Sequence, residues 1–329
     1  MKMNPFLECA VKIWLGGCLL VGMNGAALAG AGVSGLTVQD AERSPAASAD
    51  MILGAARAGT RIVAVGARGV VLLSDDAGQS WRQARSVAVD STLTGVAFVD
   101  ARLGWAVGQW GVVLRTSDGG ETWTRQRLEM SVDQPLFSVY FKDDREGWAV
   151  GLWSLMLHTV DAGEHWSMVD LPRPPGAKKA DRNLYAIFAD AHGTLFVACE
   201  QGRVMRSTDG GAHWTYVETG YAGSFWSGIA LRDGSILVGG LRGSVYRSTN
   251  GGDTWAAVAT PFKSSITGIV QLGDRSVLAV ALDGVSFTSH DDGLTFTGQQ
   301  RSDRETLTAV AESPRGGAVL FSADGPVRR

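Results

Sequence analysis

The chain has 329 residues, of which 45% are hydrophobic and 19% charged, and its formal net charge is −3. Its length allows a substantial buried core. Without a net positive charge it has no global basic field of the kind that nucleic-acid-binding proteins use, which argues against a nucleic acid as partner.

The first 29 residues have the features of a secretory signal peptide. Lys2 and Lys12 are basic, residues 13–21 are apolar, and a small-residue cleavage site ends at Ala29. The apolar run is too short to span a bilayer as a helix. We therefore expect cleavage after Ala29 and a periplasmic or secreted mature protein.

Cysteine usage limits the redox chemistry of the mature chain. Cys9 and Cys18 lie within the predicted signal peptide, which leaves only Cys199 in the mature protein. A single cysteine excludes an internal disulfide. Because Cys199 lies on a predicted strand, we expect it to be a small buried apolar residue.

From residue 51 onward, a short pattern of the form S-x-D-x-G-x-[ST]-W recurs six times. Its closing aromatic residues are 41 to 48 residues apart. A period near forty is typical of one four-stranded blade of a β-propeller. The acidic or amide residue and the closing aromatic of the successive copies are Asp76 and Trp81, Asp118 and Trp123, Asp161 and Trp166, Asp209 and Trp214, Asn250 and Trp255, and Asp291 and Phe296.

Each copy is predicted to be a structural turn between the third and fourth strands of a blade. A short aspartate side chain can accept hydrogen bonds from the backbone of its own turn, and the glycine two residues later tolerates a left-handed conformation. The closing aromatic is large enough to fill the gap between neighbouring blades. The acidic spacing of a calcium loop is absent, so we expect no metal site and no cofactor here.

The segments between these turns alternate like β-strands. Residues 93–98 and 104–108 are typical first and second strands of a blade, and the third strand ends in the turn. Seven second strands can be counted, which predicts an all-β, seven-bladed propeller over residues 51–329; six blades is the alternative. The seventh blade lacks an outer strand, and residues 36–39 of the N-terminal segment 30–50 are candidates for it, since ring closure would remove exposed sheet edges.

Strand order also predicts two distinct faces. The turns between second and third strands lie together on one face, here called the upper face, while the six repeated turns lie on the opposite lower rim. Exposed tryptophan beside arginine is typical of protein interfaces. The partner-binding candidates on the upper face are Arg68, Trp110, Trp153, Arg203 and Arg242. The alternative is that Trp110 and Trp153 fold over the central channel as a lid.

No catalytic constellation emerges from the sequence. Three of the five histidines, His165, His213 and His290, fall inside the repeated turns. No two histidines are spaced to share a metal, and none accompanies a suitable serine or cysteine nucleophile. We therefore expect no enzymatic activity.

The repeated turn resembles the Asp-box, also known as the bacterial neuraminidase repeat. Together with the export signal and the Gly-Trp-Ala-Val-Gly strands at 104–108 and 147–151, it makes the chain similar to the photosystem II stability/assembly factor family. Members are seven-bladed propellers that hold a membrane reaction-centre subunit during assembly through a basic patch. The resemblance implies a non-enzymatic scaffold or chaperone whose partner is a membrane protein or complex.

The competing interpretation is a sialidase-like glycoside hydrolase, because sialidases also carry Asp-boxes on a propeller. Such enzymes need an arginine cluster, a tyrosine activated by glutamate and an acid/base carboxyl group. Glu200, Asp283 and Asp324 are the candidate carboxyl groups. Sialidases usually begin with an Arg-Ile-Pro motif, whereas this chain has Arg61-Ile62-Val63.

Overall fold

Seven small, mainly antiparallel sheets form a closed ring in the computed structural model, which describes residues 37–327. The innermost strand of each sheet packs against the innermost strands of both neighbouring sheets, and the seventh packs against the first. The predicted seven-bladed propeller is confirmed. The predicted signal peptide, residues 1–29, lies outside the described residues. Within them, no helix has the length and apolar character needed to cross a membrane.

Six of the blades have at least four strands, which are ordered from the channel outward. The strands are, in blade 1, β1 (Ile52–Ala58), β2 (Arg61–Gly66), β3 (Val71–Ser74) and β4 (Arg82–Gln83); in blade 2, β6 (Leu93–Phe98), β7 (Gly104–Gly108), β8 (Val113–Thr116) and β9 (Thr122–Arg127), with β5 (Ser86–Val87) outside them; in blade 3, β10 (Leu136–Phe141), β11 (Gly147–Gly151), β12 (Met156–Thr159) and β13 (Ser167–Met168); in blade 4, β14 (Leu184–Ala189), β15 (Leu195–Cys199), β16 (Arg203–Ser207) and β17 (Thr215–Glu218); in blade 5, β18 (Phe225–Ala230), β19 (Ile236–Gly240), β20 (Val245–Ser248) and β21 (Ala256–Val258); in blade 6, β22 (Ile266–Gln271), β23 (Val277–Ala281), β24 (Val285–Ser289) and β25 (Thr297–Gln300); and in blade 7, β26 (Leu307–Glu312), β27 (Ala318–Ser322) and β28 (Gly325–Pro326).

Residues 37–50, the described part of the N-terminal segment, supply no strand to blade 7, which corrects the expectation for residues 37–39. Residues 37–39 are not a strand, and Leu36 lies outside the described residues. Their backbone is used beside blade 2, where the N–H of Gln39 donates to Asp90 Oδ1 (3.3 Å) and that of Ala41 to the carbonyl of Val87 (2.9 Å). In the described part of the chain, blade 7 has three strands.

This segment instead crosses the outside of blade 1. The N–H of Ser44 donates to Gln83 Oε1 (2.9 Å) on the outermost strand of that blade. A 3-10 turn at Ala47–Ala49 then packs against β28 of blade 7. The segment therefore connects blades 2, 1 and 7, the part of the ring where the two ends of the propeller meet.

The Asp-box of blade 2 shows how the lower rim is held together. Thr116 Oγ1 donates to Asp118 Oδ1 (2.8 Å) and accepts from the N–H of Gly120 (3.0 Å). The N–H of Thr122 donates to the same carboxylate oxygen (2.9 Å). Trp123 is 2% exposed and packs into a core that includes residues of blade 1. The box therefore stabilises both its own turn and the interface between two blades.

The carboxyl groups of these boxes are acidic because the turn hydrogen bonds favour their charged form. Hydrogen bonds, first of all from the hydroxyl of Ser80, lower the pKa of Asp76 to about 2. Hydrogen bonds from His165 and His213 do the same for Asp161 and Asp209, each to about 2. The carboxylates of these aspartates therefore serve to hold the turns in place.

Buried residues on the second strands complete the cores between the blades. Trp105 and Trp148, at equivalent positions of blades 2 and 3, are almost fully buried. Trp105 Nε1 donates to the carbonyl of Ala162 (2.9 Å) in the Asp-box of blade 3. Cys199 is also buried, as expected, and its burial raises the pKa of the thiol to about 12.

Candidate functional site

The upper face is built from the turns between the second and third strands. Because strands run antiparallel in the order one to four, these turns lie on the face opposite the Asp-boxes. In blades 1 to 6 the first N–H of the turn donates to a carbonyl next to the start of the same blade's inner strand, as from Gln109 to Thr92 (2.9 Å) and from Leu152 to Pro135 (3.0 Å). The turns are thus fixed to the mouth of the channel.

Six of these turns place a non-glycine residue in the left-handed region of backbone conformation. This conformation costs free energy for residues with a Cβ atom. The residues and their φ angles are Arg68 (53°), Trp110 (59°), Trp153 (53°), Gln201 (58°), Arg242 (57°) and Asp283 (62°). One backbone position is therefore repeated around the ring while its side chain changes from blade to blade.

Trp153 is the most exposed tryptophan of the upper face, with 55% of its surface accessible. Its N–H donates to Asn183 Oδ1 (3.1 Å), and the N–H of Ser154 donates to the carbonyl of Arg182 (2.6 Å). The turn of blade 3 is thereby tied to the start of blade 4. Trp153 forms one side of a cleft of 610 Å³, which residues 179–183 and Glu200 also line.

Asn183 connects the polar groups of this cleft. Its Nδ2 lies 3.3 Å from Glu200 Oε2, to which it donates, and 3.5 Å from the hydroxyl of Tyr185. Burial raises the pKa of Glu200 and that of Tyr185. Arg182 forms an ion pair with Asp181 (3.2 Å). The cleft therefore combines an exposed aromatic ring with cationic and hydrogen-bonding groups.

Three of the other predicted residues also lie in upper-face turns. Arg68 has a largely exposed side chain that forms an ion pair with Asp50. Trp110 is half-buried, and its carbonyl accepts the N–H of Glu129 (2.9 Å). Arg242 is exposed, and its N–H donates to Ser265 Oγ (3.1 Å).

Arg203 occupies a different position from the one predicted. It is the first residue of β16 instead of a turn residue, and its side chain is only 13% exposed. Its Nη2 donates to Glu218 Oε1 (3.0 Å), while Nε and Nη1 have no hydrogen-bond partner among the described residues. Arg203 was predicted to lie in the turn because it follows the turn directly in sequence.

Aromatic residues on the inner strands are a part of the upper face that the sequence analysis missed. Phe137 and Tyr185 are the second residues of the inner strands of blades 3 and 4, and their rings stack with centroids 5.6 Å apart. Trp226 is the second residue of the inner strand of blade 5. The three aromatic residues thus share one position of the repeat, the second residue of the inner strand.

Comparison with known proteins identifies the relatives of this chain. Residues 84–236 match the family model of the photosynthesis system II assembly factor YCF48. The predicted resemblance to this family is confirmed. The matched residues begin just before blade 2 and end at the second strand of blade 5, so they include Trp110, Trp153 and the cleft beside them. No protein with a curated description matches the sequence.

Solved structures of YCF48 have the same fold as this chain. One, of YCF48 bound to D1 peptide, is 16% identical and covers 88% of this chain and 95% of its own, with a TM-score of 0.67. YCF48 from Cyanidioschyzon merolae is 17% identical, with 88% and 98% coverage and a TM-score of 0.66. A streptogramin B lyase is 13% identical, with 88% and 96% coverage and a TM-score of 0.71. At these identities the likeness concerns the fold alone.

The carboxyl groups considered for a sialidase-like enzyme lie on different blades. Glu200 belongs to blade 4, Asp283 to the turn of blade 6 and Asp324 to blade 7. Asp283 forms an ion pair with Arg304 (2.9 Å). The sialidase-like alternative is not favoured by the similarity to YCF48. Within residues 37–327, no group of three or more His, Cys, Asp and Glu side chains is arranged to hold a metal ion.

Proposed function

We propose that this chain is an exported, non-enzymatic propeller that binds a polypeptide segment of a membrane protein complex on its upper face and acts as an assembly scaffold or chaperone. The observation that carries the proposal is Trp153, an exposed tryptophan held in a left-handed turn above a 610 Å³ cleft. Tryptophan and arginine are enriched at the residues that dominate protein interfaces. The similar YCF48 structure that contains a D1 peptide supports a polypeptide as ligand.

The proposal predicts that the upper face, and not the lower rim, captures the partner. Trp110→Ala combined with Trp153→Ala is expected to reduce recovery of membrane proteins from detergent extracts by about tenfold or more, as expected for the loss of two interface tryptophans. The readout is affinity capture with quantitative mass spectrometry.

A matched control removes two exposed apolar residues from the Asp-box side, Val160→Ala with Leu294→Ala. This control should recover the same proteins as the native chain. Melting temperatures of all three proteins verify folding. An unchanged partner list for the tryptophan variant would refute the proposed site.

Export is a separate part of the proposal and has its own test. The tagged full-length chain is expected in the periplasmic or secreted fraction, with a mature N-terminus at Gly30 determined by mass spectrometry. Recovery of the intact chain in the cytoplasm would exclude this part without affecting the proposed binding face.

A further inference from the structure

All seven inner strands share a local irregularity close to the upper face. The pairing between the first and second strands of each blade shifts after the first residue, which leaves the second residue in a β-bulge. A bulge changes the direction of the side chain that it contains. The fold thus provides seven equivalent positions around the mouth of the channel.

Three blades use this position to hold the ring together. In blade 2, Thr94 Oγ1 donates to the carbonyl of Leu136 in blade 3 (2.7 Å), and in blade 6, Thr267 Oγ1 donates to that of Leu307 in blade 7 (2.9 Å). Thr308 of blade 7 makes the same bond to Ile52 of blade 1. Threonine at this position is therefore a structural tie between neighbouring blades.

Blades 3, 4 and 5 replace the threonine with an aromatic residue. Phe137, Tyr185 and Trp226 occupy the equivalent bulges, and each keeps part of its surface accessible. Phe137 and Trp226 have no hydroxyl group at all, and the hydroxyl of Tyr185 lies at the far end of a ring. These three consecutive blades therefore lack the bond that a threonine hydroxyl makes to the carbonyl of the next inner strand.

The three aromatic residues continue the line of the two turn tryptophans. The inner strand of blade 3 packs against the turn that carries Trp110, and that of blade 4 packs against the turn that carries Trp153. Trp110, Phe137, Trp153, Tyr185 and Trp226 are here called the aromatic arc. It occupies blades 2 to 5, whereas the opposite side of the mouth carries the threonines of blades 6 and 7.

The charged residues beside the aromatic arc indicate which charge its ligand carries. The connection between blades 3 and 4, residues 170–183, contains Arg173, Lys178, Lys179 and Arg182 against Asp170 and Asp181. Since Asp181 is already paired with Arg182, the connection has two more basic than acidic residues, and two of its cations, Lys179 and Arg182, line the cleft together with Glu200. Complementarity favours an acidic ligand.

We propose that the aromatic arc binds an extended polypeptide segment through a bulky apolar side chain, with a neighbouring acidic residue placed at the 170–183 connection. This inference rests on the proposed function and specifies its ligand. The arc supplies rigid ring surface, which orders with little loss of side-chain entropy. The cationic connection sets which flanking residue is accepted.

The test uses substitutions that the propeller already contains elsewhere. Phe137→Thr, Tyr185→Thr and Trp226→Thr together place in blades 3 to 5 the residue found in blades 2, 6 and 7, and we expect this variant to fold. The native chain, the threonine variant and the Val160→Ala, Leu294→Ala control are each used to select binders from a library of random dodecapeptides displayed on phage. Dissociation constants of the selected synthetic peptides are then measured by calorimetry.

The expected result is enrichment of peptides with Phe, Trp, Leu or Met next to Asp or Glu, by the native chain and the control alike. The threonine variant should bind these peptides about tenfold more weakly or worse while keeping its melting temperature. Replacing the acidic residue of a selected peptide by its amide should weaken binding and reduce its dependence on salt.

Other outcomes would refute either the aromatic arc alone or the proposed polypeptide binding as well. If peptides are enriched but bind the threonine variant equally well, or show no apolar and acidic preference, the aromatic arc is refuted and the binding face stands. If the native chain enriches no peptide, both the arc and the proposed polypeptide-binding function are refuted. If the threonine variant unfolds, the exposed substitutions Trp153→Ala and Lys179→Ala are used instead. If both of these variants bind the peptides as tightly as the native chain does, the arc is refuted.

Discussion

The lower rim and the upper face of this propeller are built from turns that repeat equally often but differ in what repeats. On the lower rim both the backbone and the side chains recur, and the polar groups of each Asp-box bond within their own turn, as those of Asp118 do. On the upper face only the backbone recurs. A left-handed residue stands at one position of six turns, yet its identity changes among arginine, tryptophan, glutamine and aspartate.

The fold requires the residues of the Asp-boxes, whereas it allows different side chains in the turns of the upper face. An Asp-box that lost its aspartate or its glycine would lose bonds that hold a blade together. A left-handed turn would be most stable with glycine, so the tryptophans and arginines there add a conformational cost. Residues kept at a position where they cost stability are the better candidates for binding.

The largest expected effect is on the free energy of unfolding, when a tryptophan of the lower rim is compared with a tryptophan of the upper face. Trp123→Ala removes a buried ring between blades 1 and 2 and should lower the free energy of unfolding by about 3–5 kcal/mol. Trp153→Ala removes a largely exposed ring and should change it by less than about 1 kcal/mol. Denaturant unfolding of both variants measures the contrast; equal losses would show that the upper face is as structural as the rim.

A smaller effect of opposite sign is expected from Arg242→Gly. Arg242 is exposed with φ of 57°, and glycine would adopt this conformation without the Cβ penalty while keeping the backbone bond to Ser265. The free energy of unfolding should rise by about 0.5–1 kcal/mol. Arg125→Gly, at an exposed position of strand β9, is the matched control and should be destabilising. A loss of stability in Arg242→Gly would contradict the reading of the turn as strained.

The smallest effect concerns pH and the single Asp-box with an amide. The pKa of Asp76 falls from its ordinary value of 3.8 to about 2, so its contribution to stability is complete above about pH 4 and is lost as the pH falls towards 2. Asn250 makes corresponding bonds without titrating: its Oδ1 accepts the N–H of Thr254 (3.0 Å) and its Nδ2 donates to the hydroxyl (2.9 Å).

Asn250→Asp should therefore make stability fall more steeply between pH 4 and pH 2, and Asp76→Asn should make it fall less steeply. Chemical unfolding at several pH values within this window provides the slopes. Identical slopes in the two variants would show that the box carboxyl groups do not contribute to acid sensitivity.

The fold could be predicted because its determinants are local and repeated. Each Asp-box fixes a turn through residues only four positions apart, such as Thr116 and Gly120. The spacing of the boxes gives the length of one blade, and the seven second strands give the number of blades. The path of residues 37–50 could not be predicted in this way. Its position depends on contacts with Val87, Gln83 and blade 7, which are distant in sequence and leave no periodic signal.

The site could be predicted only as far as strand order defines a face. That order correctly placed Arg68, Trp110, Trp153 and Arg242 in upper turns, but it did not distinguish Arg203, which begins a strand and has a side chain only 13% exposed. The aromatic arc was missed because Phe137, Tyr185 and Trp226 look like ordinary strand aromatics. Only their place in a bulge, where other blades carry a bonded threonine, distinguishes them.

The junction between blades 7 and 1 has a consequence for how the protein is made. Thr308 bonds to Ile52 across 256 positions of the chain, and Arg57 pairs with Glu312 across 255. The surface of blade 1 that packs against blade 7 therefore remains exposed until blade 7 has been synthesised. Such late, long-range closure slows folding and leaves an aggregation-prone surface in the interim. The stretch running over blade 1 onto blade 7 adds contacts at this seam, where a nascent ring is weakest.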